Sequence, residues 1–188
     1  MSLSGPFLAL LMSATPPAPA ALQDCSYDRA AMLALDYRSF DQTPGHGWRA
    51  LAERGCDRQA AELIREWREH HRDSRTILFW HEGQSRAFTG DYPAAIALFE
   101  RARKAPQDDR IFWNLYVDGS VAFLEGDRAR LQAARDALAA KPTPEDWDAM
   151  KGTDGKPLNA PWPVNLAVLD GFLRCWGKPY REAYGCPK

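Results

Sequence analysis

The stretch that decides the fold is Trp80-His81-Glu82-Gly83-Gln84-Ser85-Arg86-Ala87-Phe88-Thr89-Gly90-Asp91. Its frame, Gly83-x6-Gly90-Asp91, returns as Gly119-x6-Gly126-Asp127, a shift of 36 residues at all three positions. The apolar surroundings shift with it: Trp80 maps to Tyr116, Phe88 to Leu124, Ala95 to Leu131, Ala102 to Leu138 and Pro106 to Pro142. A fainter copy comes earlier, with Gly55, Ala60 and Ile64 standing 35 residues before Gly90, Ala95 and Phe99. Repetition at this period means one small supersecondary unit used about three times.

Each unit reads as two amphipathic helices around a tight turn. Ile77, Trp80, Gly83 and Ala87, then Ala94, Ala95, Leu98, Phe99 and Ala102, recur at the spacings that place residues on one helical face. Gly90 can take the left-handed conformation that ends a helix, and the Asp91 carboxylate can cap the next one; Gly126-Asp127 repeats this chemistry. Gly83 and Gly119 fall inside helices, where glycine costs up to ~1 kcal/mol relative to alanine, so a close approach of the paired helix is expected there. No stretch shows sustained period-two alternation, and no sheet is expected.

These residues resemble the tetratricopeptide repeat family, whose pattern W-x2-L-G-x2-Y, then A-x3-F and a closing Pro, returns about every 34 residues. Gly83, Gly90, Tyr92, Ala95, Phe99 and Ala102 match it in order and spacing, whereas Glu82 and Asp118 replace the usual Leu and Arg86 the Tyr. The resemblance covers residues 41–147 and is best in 76–111, intermediate in 112–147 and weakest in 41–75. It implies an all-α chain of TPR-like helix-turn-helix repeats forming a short curved α-solenoid, which binds a protein or peptide in a concave groove. First helices line that groove in the family. The resemblance therefore places Trp80 and Tyr116, with Gln84 and Ser120 one turn later, as ligand contacts.

Residues 24–188 read as one helical domain, with repeats at 41–75, 76–111 and 112–147 and a C-terminal cap at 148–188. Ser26 is expected to cap a leading helix carrying Ala31, Leu35, Tyr37 and Phe40. Five prolines and two glycines in 141–163 predict a loop, interrupted by a short helix over 145–150 capped by Thr143. Val164, Leu166, Val168, Leu169, Phe172, Leu173 and Trp176 then read as a last, buried helix, since the end of a repeat stack needs a cap.

The 24 basic and 25 acidic residues leave a formal charge of −1, so no basic field exists to neutralise phosphates and nucleic acid is excluded as a partner. Residues 1–23 read as signal-like or disordered. They hold the apolar run Phe7-Leu8-Ala9-Leu10-Leu11-Met12 and end a Pro/Ala stretch at Ala18-Pro19-Ala20, which suits cleavage after Ala20. Gln23 and Asp24 before Cys25 disfavour a lipid anchor, and no run approaches the ~18 apolar residues of a membrane span.

Cys25, Cys56, Cys175 and Cys186 are an even set without C-x-x-C spacing, which suits two disulfides in a periplasmic or secreted protein. Three pairings are possible; a turn at Gly177-Lys178-Pro179 closes the short gap between Cys175 and Cys186 and leaves Cys25 for Cys56. The other reading of the four is reduced, buried thiols in the cytoplasm.

Catalytic motifs fail on inspection. His81-Glu82 opens like H-E-x-x-H, but Ser85 stands where the second zinc-binding histidine belongs. Gly83-Gln84-Ser85-Arg86-Ala87 lacks the last glycine of a nucleophile elbow and falls mid-helix. His71-Arg72-Asp73 matches a kinase fragment by letters alone, without a glycine-rich loop. Neither cofactor nor metal is expected. Glu82 and Asp118 occupy one repeat position and suggest either carboxylates for a basic ligand group or, in a hydrolase-like enzyme with His81 nearby, an acid and base pair; the plainer reading is an i,i+4 pair of Glu82 with Arg86. Two functions follow: a non-enzymatic binding scaffold, preferred, and an enzyme.

Overall fold

The computed structural model describes residues 24–151, 155, 157, 158 and 160–187. The signal-like segment 1–23 lies outside them. Among the described residues the chain is all-helical, with no strand and one isolated bridge, Lys151 with Pro157. No helix among them is long and apolar enough to cross a membrane.

Three helical hairpins follow one another: α2 (Gly47–Glu53) with α3 (Asp57–His71), α4 (Thr76–Phe88) with α5 (Tyr92–Arg101), and α6 (Trp113–Glu125) with α7 (Arg128–Ala139). A short α1 (Arg29–Leu33) leads in, while α8 (Leu166–Arg174) and α9 (Tyr180–Tyr184) close the chain. The turns carry the expected chemistry. Gly90 and Gly126 are left-handed, with φ of 83° and 74°, and the Asp91 and Asp127 carboxylates accept the backbone N–H groups of Ala94 and Arg130.

Gly83 and Gly119 are close-approach points. A Cβ at Gly83 would lie 2.8 Å from the Phe99 ring of α5, and one at Gly119 would lie 2.6 Å from Leu169. The tightest neighbour of Gly119 is thus the capping helix α8 rather than its hairpin mate α7.

Departures from expectation lie outside the hairpins. Asp28, not Ser26, caps the leading helix by accepting the Ala31 N–H at 3.0 Å. That helix stops at Leu33 because the Asp36 carboxylate accepts the Ser39 N–H at 2.7 Å and restarts the chain as a π-helical turn, Arg38–Gln42. The helix expected at 145–150 shrinks to the 3-10 turn Trp147–Ala149. A separate α9 was not expected at all.

Both disulfides form as the spacing predicts, Cys25 with Cys56 and Cys175 with Cys186, and leave no free cysteine. The first ties the lead-in segment to the start of α3. The second folds α9 back. Such bridges typically contribute ~2–4 kcal/mol and persist in oxidising environments.

Candidate functional site

The strip expected to be an open groove is closed. Trp80, Tyr116 and Ser120 are 3%, 2% and 0% exposed. Trp80 stacks on Phe99 at 4.1 Å between ring centroids and meets Trp113 and Tyr116 at 4.8 Å each. The Ser120 hydroxyl donates to the Tyr116 carbonyl at 2.8 Å, and Gln84 is half-buried. The i,i+4 logic put these residues on one face correctly. What it omitted is that the final segment, residues 180–184, reaches Tyr116 and Gln84, while Phe99 and Trp113 enclose Trp80.

Tyr180, fully buried, packs against Phe88, Phe123 and Phe172 with centroids 5.5, 6.1 and 5.2 Å away. Its backbone N–H donates to the Tyr92 hydroxyl at 3.0 Å, and Arg181 pairs with Asp57. Burial, with the Tyr184 charge beside it, pushes the Tyr180 phenol well above its ordinary value. That hydroxyl meets no good hydrogen-bond geometry, with the Gln84 side chain as its polar neighbour. Trp80, Tyr116 and Ser120 are therefore core and not free ligand contacts.

Glu82 and Asp118 do not converge. Glu82 is 3% exposed and accepts from Arg68 of α3 at 2.7 Å, with Arg86 at 3.8 Å. Arg86 passes on to Glu62 at 2.7 Å, and the Arg68 guanidinium lies 4.0 Å over the Phe79 ring. Asp118 is half-exposed and bound to Arg103 at 2.8 Å, which also holds Glu100 at 2.6 Å. Each carboxylate has its own cation, so the structure contains no acid and base pair at this repeat position. The i,i+4 contact of Glu82 with Arg86 exists, but the shorter bond goes to Arg68.

A different constellation forms around His81. Asp41, in the turn before α2, is fully buried, and its Oδ1 accepts from His81 Nδ1 at 2.7 Å and from Trp48 Nε1 at 2.8 Å. Gln42 donates to the other carboxylate oxygen, and Arg49 Nε donates to the Asp41 carbonyl at 2.6 Å. Burial alone raises the Asp41 carboxyl; the hydrogen bonds from His81 and Trp48 and the charges of His81 and Arg49 outweigh it and hold the group below the usual value of 3.8. An ionised carboxylate only accepts, so His81 Nδ1 carries the proton in this bond. The fixed ring orientation leaves Nε2 as the ring nitrogen available to solvent or ligand.

His81 lines a cleft of about 490 Å³. Gln42 and Arg49 come from the region of α2, Thr76, Ile77 and His81 from α4, and Trp113 from the start of α6. Lys104 and Ile111, from the segment between α5 and α6, and Lys151 and Leu158, from the loop beyond α7, complete it. First helices of three successive hairpins thus share one concavity. Asn114 fixes Lys104 through both backbone groups: it accepts the Lys104 N–H at 2.9 Å and donates to its carbonyl at 2.8 Å. Trp113 Nε1 donates to the Ala102 carbonyl at 2.9 Å, which sets the indole as a wall. Arg49 lies 4.4 Å over the Trp48 ring.

Of this site, sequence reasoning singled out His81 for chemistry and Ile77 and Trp113 only as apolar or aromatic residues of the first helices. Asp41 stands 40 positions away, at the faint start of the first repeat and off the 36-residue shift, so no spacing signal joins the two. Arg49, Lys104 and Lys151 are brought together only by the packing of distant segments, which no local pattern announces. No known family profile, curated protein or solved structure matches the chain.

Proposed function

We propose that this chain is a tetratricopeptide-like helical-repeat binding module, non-enzymatic, working in the periplasm or outside the cell. The resemblance in residues 41–147 and three successive hairpins closing on left-handed Gly55, Gly90 and Gly126 support the repeat reading. The two disulfides support an oxidising compartment. The observation that carries the binding reading is the cleft shared by α2, α4 and α6 beside His81. Concave, mostly apolar sites with a few fixed polar groups are where ligands bind. A protein or peptide partner inserts a segment there.

A photo-crosslinking amino acid at position 76, on the cleft wall, tests this in the exported protein. A discrete partner adduct at 76, missing from the exposed position 128 on α7, is expected. Equal or no adducts at the two positions would contradict it.

A second reading, an enzyme, rests on the buried Asp41 orienting His81, as a general base is oriented. Turnover of p-nitrophenyl esters that disappears in His81→Ala would favour it; turnover unchanged in that variant would dismiss it.

A further inference from the structure

Among the described residues, the cleft beside His81 has one sign of charge. Arg49, Lys104 and Lys151 line it, and no carboxylate among the described residues does so; Asp41 stands behind the imidazole, bonded to His81, Trp48 and Gln42, and its charge also faces Arg49, so Lys104 and Lys151 are the least compensated cations. No ion pair among the described residues engages Arg49, Lys104 or Lys151, although the surrounding helices are dense in arginine–carboxylate pairs. Cations left unmatched around a concavity attract an anion, and low-dielectric walls strengthen that attraction.

The rest of the lining is apolar. Ile77, Ile111, Trp113 and Leu158 form it, and the Lys104 ammonium sits 5.5 Å above the Trp113 ring. A fully hydrated inorganic anion gains nothing from such walls, whereas a carboxylate carried on an apolar body uses both parts of the site. His81 adds a directional contact: with Nδ1 committed to Asp41, Nε2 is the ring nitrogen left for a ligand.

We infer that the cleft formed by Arg49, His81, Lys104 and Lys151 over Ile77 and Trp113 binds a carboxylate attached to an apolar or aromatic body. The inference rests on the reading of this cleft as the binding site, and it names the chemistry recognised there. A free small acid and the terminal carboxylate of a peptide ending in an apolar residue both supply that group.

Isothermal titration of the intact, oxidised protein tests the class. The probes are phenylacetate, its neutral analogue phenylacetamide, and the peptide Ala-Ala-Phe with a free or an amidated end. At least one acid is expected to bind, with its amide weaker by about tenfold or more, the scale of one lost charge-assisted contact. Lys104→Gln and Lys151→Gln, which leave the core untouched, are each expected to weaken the acid by about tenfold. Binding of phenylacetate without the peptide assigns the site to a free acid, and the reverse assigns it to a chain end. Equal binding of acid and amide, no binding of either acid, or unchanged binding in both lysine variants would overturn the inference. Should a partner still crosslink at position 76 in that case, the cleft remains the binding site and only its chemistry is wrong.

Discussion

Asp41 Oδ1 receives His81 Nδ1–H at 2.7 Å across 40 positions of sequence, joining the turn before α2 to the middle of α4. This bond fixes the imidazole against the Trp48 ring, 5.0 Å away, on the wall of the cleft. It also makes Asp41 a stability determinant whose effect depends on pH.

The folded Asp41 carboxyl titrates below its ordinary value. Its stabilisation is therefore fully present above the unfolded value, about 3.9, and is lost as pH falls through the folded value. Asp41→Asn should cost about 1–3 kcal/mol at pH 7, the scale of disrupting buried hydrogen bonds. Urea denaturation at neutral pH and at about pH 3 should show the difference between the proteins shrinking on acidification. A difference that grows instead would contradict the assigned sign.

Trp80, stacked on Phe99 and enclosed by Trp113 and Tyr116, should behave as core. Trp80→Ala is expected to lose about 3–5 kcal/mol in chemical denaturation. An unchanged midpoint would restore it to the surface role that the repeat pattern suggested.

The Tyr180 hydroxyl is buried and poorly satisfied, with only the Gln84 side chain as a polar neighbour. Tyr180→Phe keeps the ring against Phe88 and Phe172 and removes only that hydroxyl, so stability should rise by about 1 kcal/mol. A loss of stability would mean that the hydroxyl has a partner after all. Tyr180→Ala, which empties the place under α9, should cost about 3–5 kcal/mol.

Gly119 sits where a Cβ would come within 2.6 Å of Leu169, a side chain with 0% exposure. Gly119→Ala should destabilise by about 1–3 kcal/mol through overpacking, despite the better helix propensity of alanine. Gly126→Ala meets no neighbour but must hold φ of 74°, so its penalty arises in the backbone instead.

The hairpins were legible in the sequence because their signals are local: the Gly-Asp turns, the capping carboxylates and the three-four spacing each act within one helical turn. The disulfide pairing was legible too, since a short loop closes easily. What escaped notice depends on contacts between distant segments. Helix α9 spans only five residues, Tyr180–Tyr184, and owes its place to the Cys175–Cys186 bridge and the pocket around Tyr180 rather than to its own pattern. It closes over Tyr116, while Trp80 is enclosed by Phe99, Trp113 and Tyr116. Likewise Arg68 claimed Glu82 from the neighbouring hairpin, and Asp41 reached His81 from the turn before α2.

The central claim is that ligand enters beside His81 and not along the strip under α9. Amide chemical-shift mapping of the 15N-labelled protein during titration with phenylacetate tests it most directly. The largest shifts should fall at Gln42, Arg49, Thr76, His81 and Ile111, with α9 silent. Shifts centred on Phe123, Trp176 and Lys178, which line a separate concavity, or on Tyr180 and Gln84, would contradict the account.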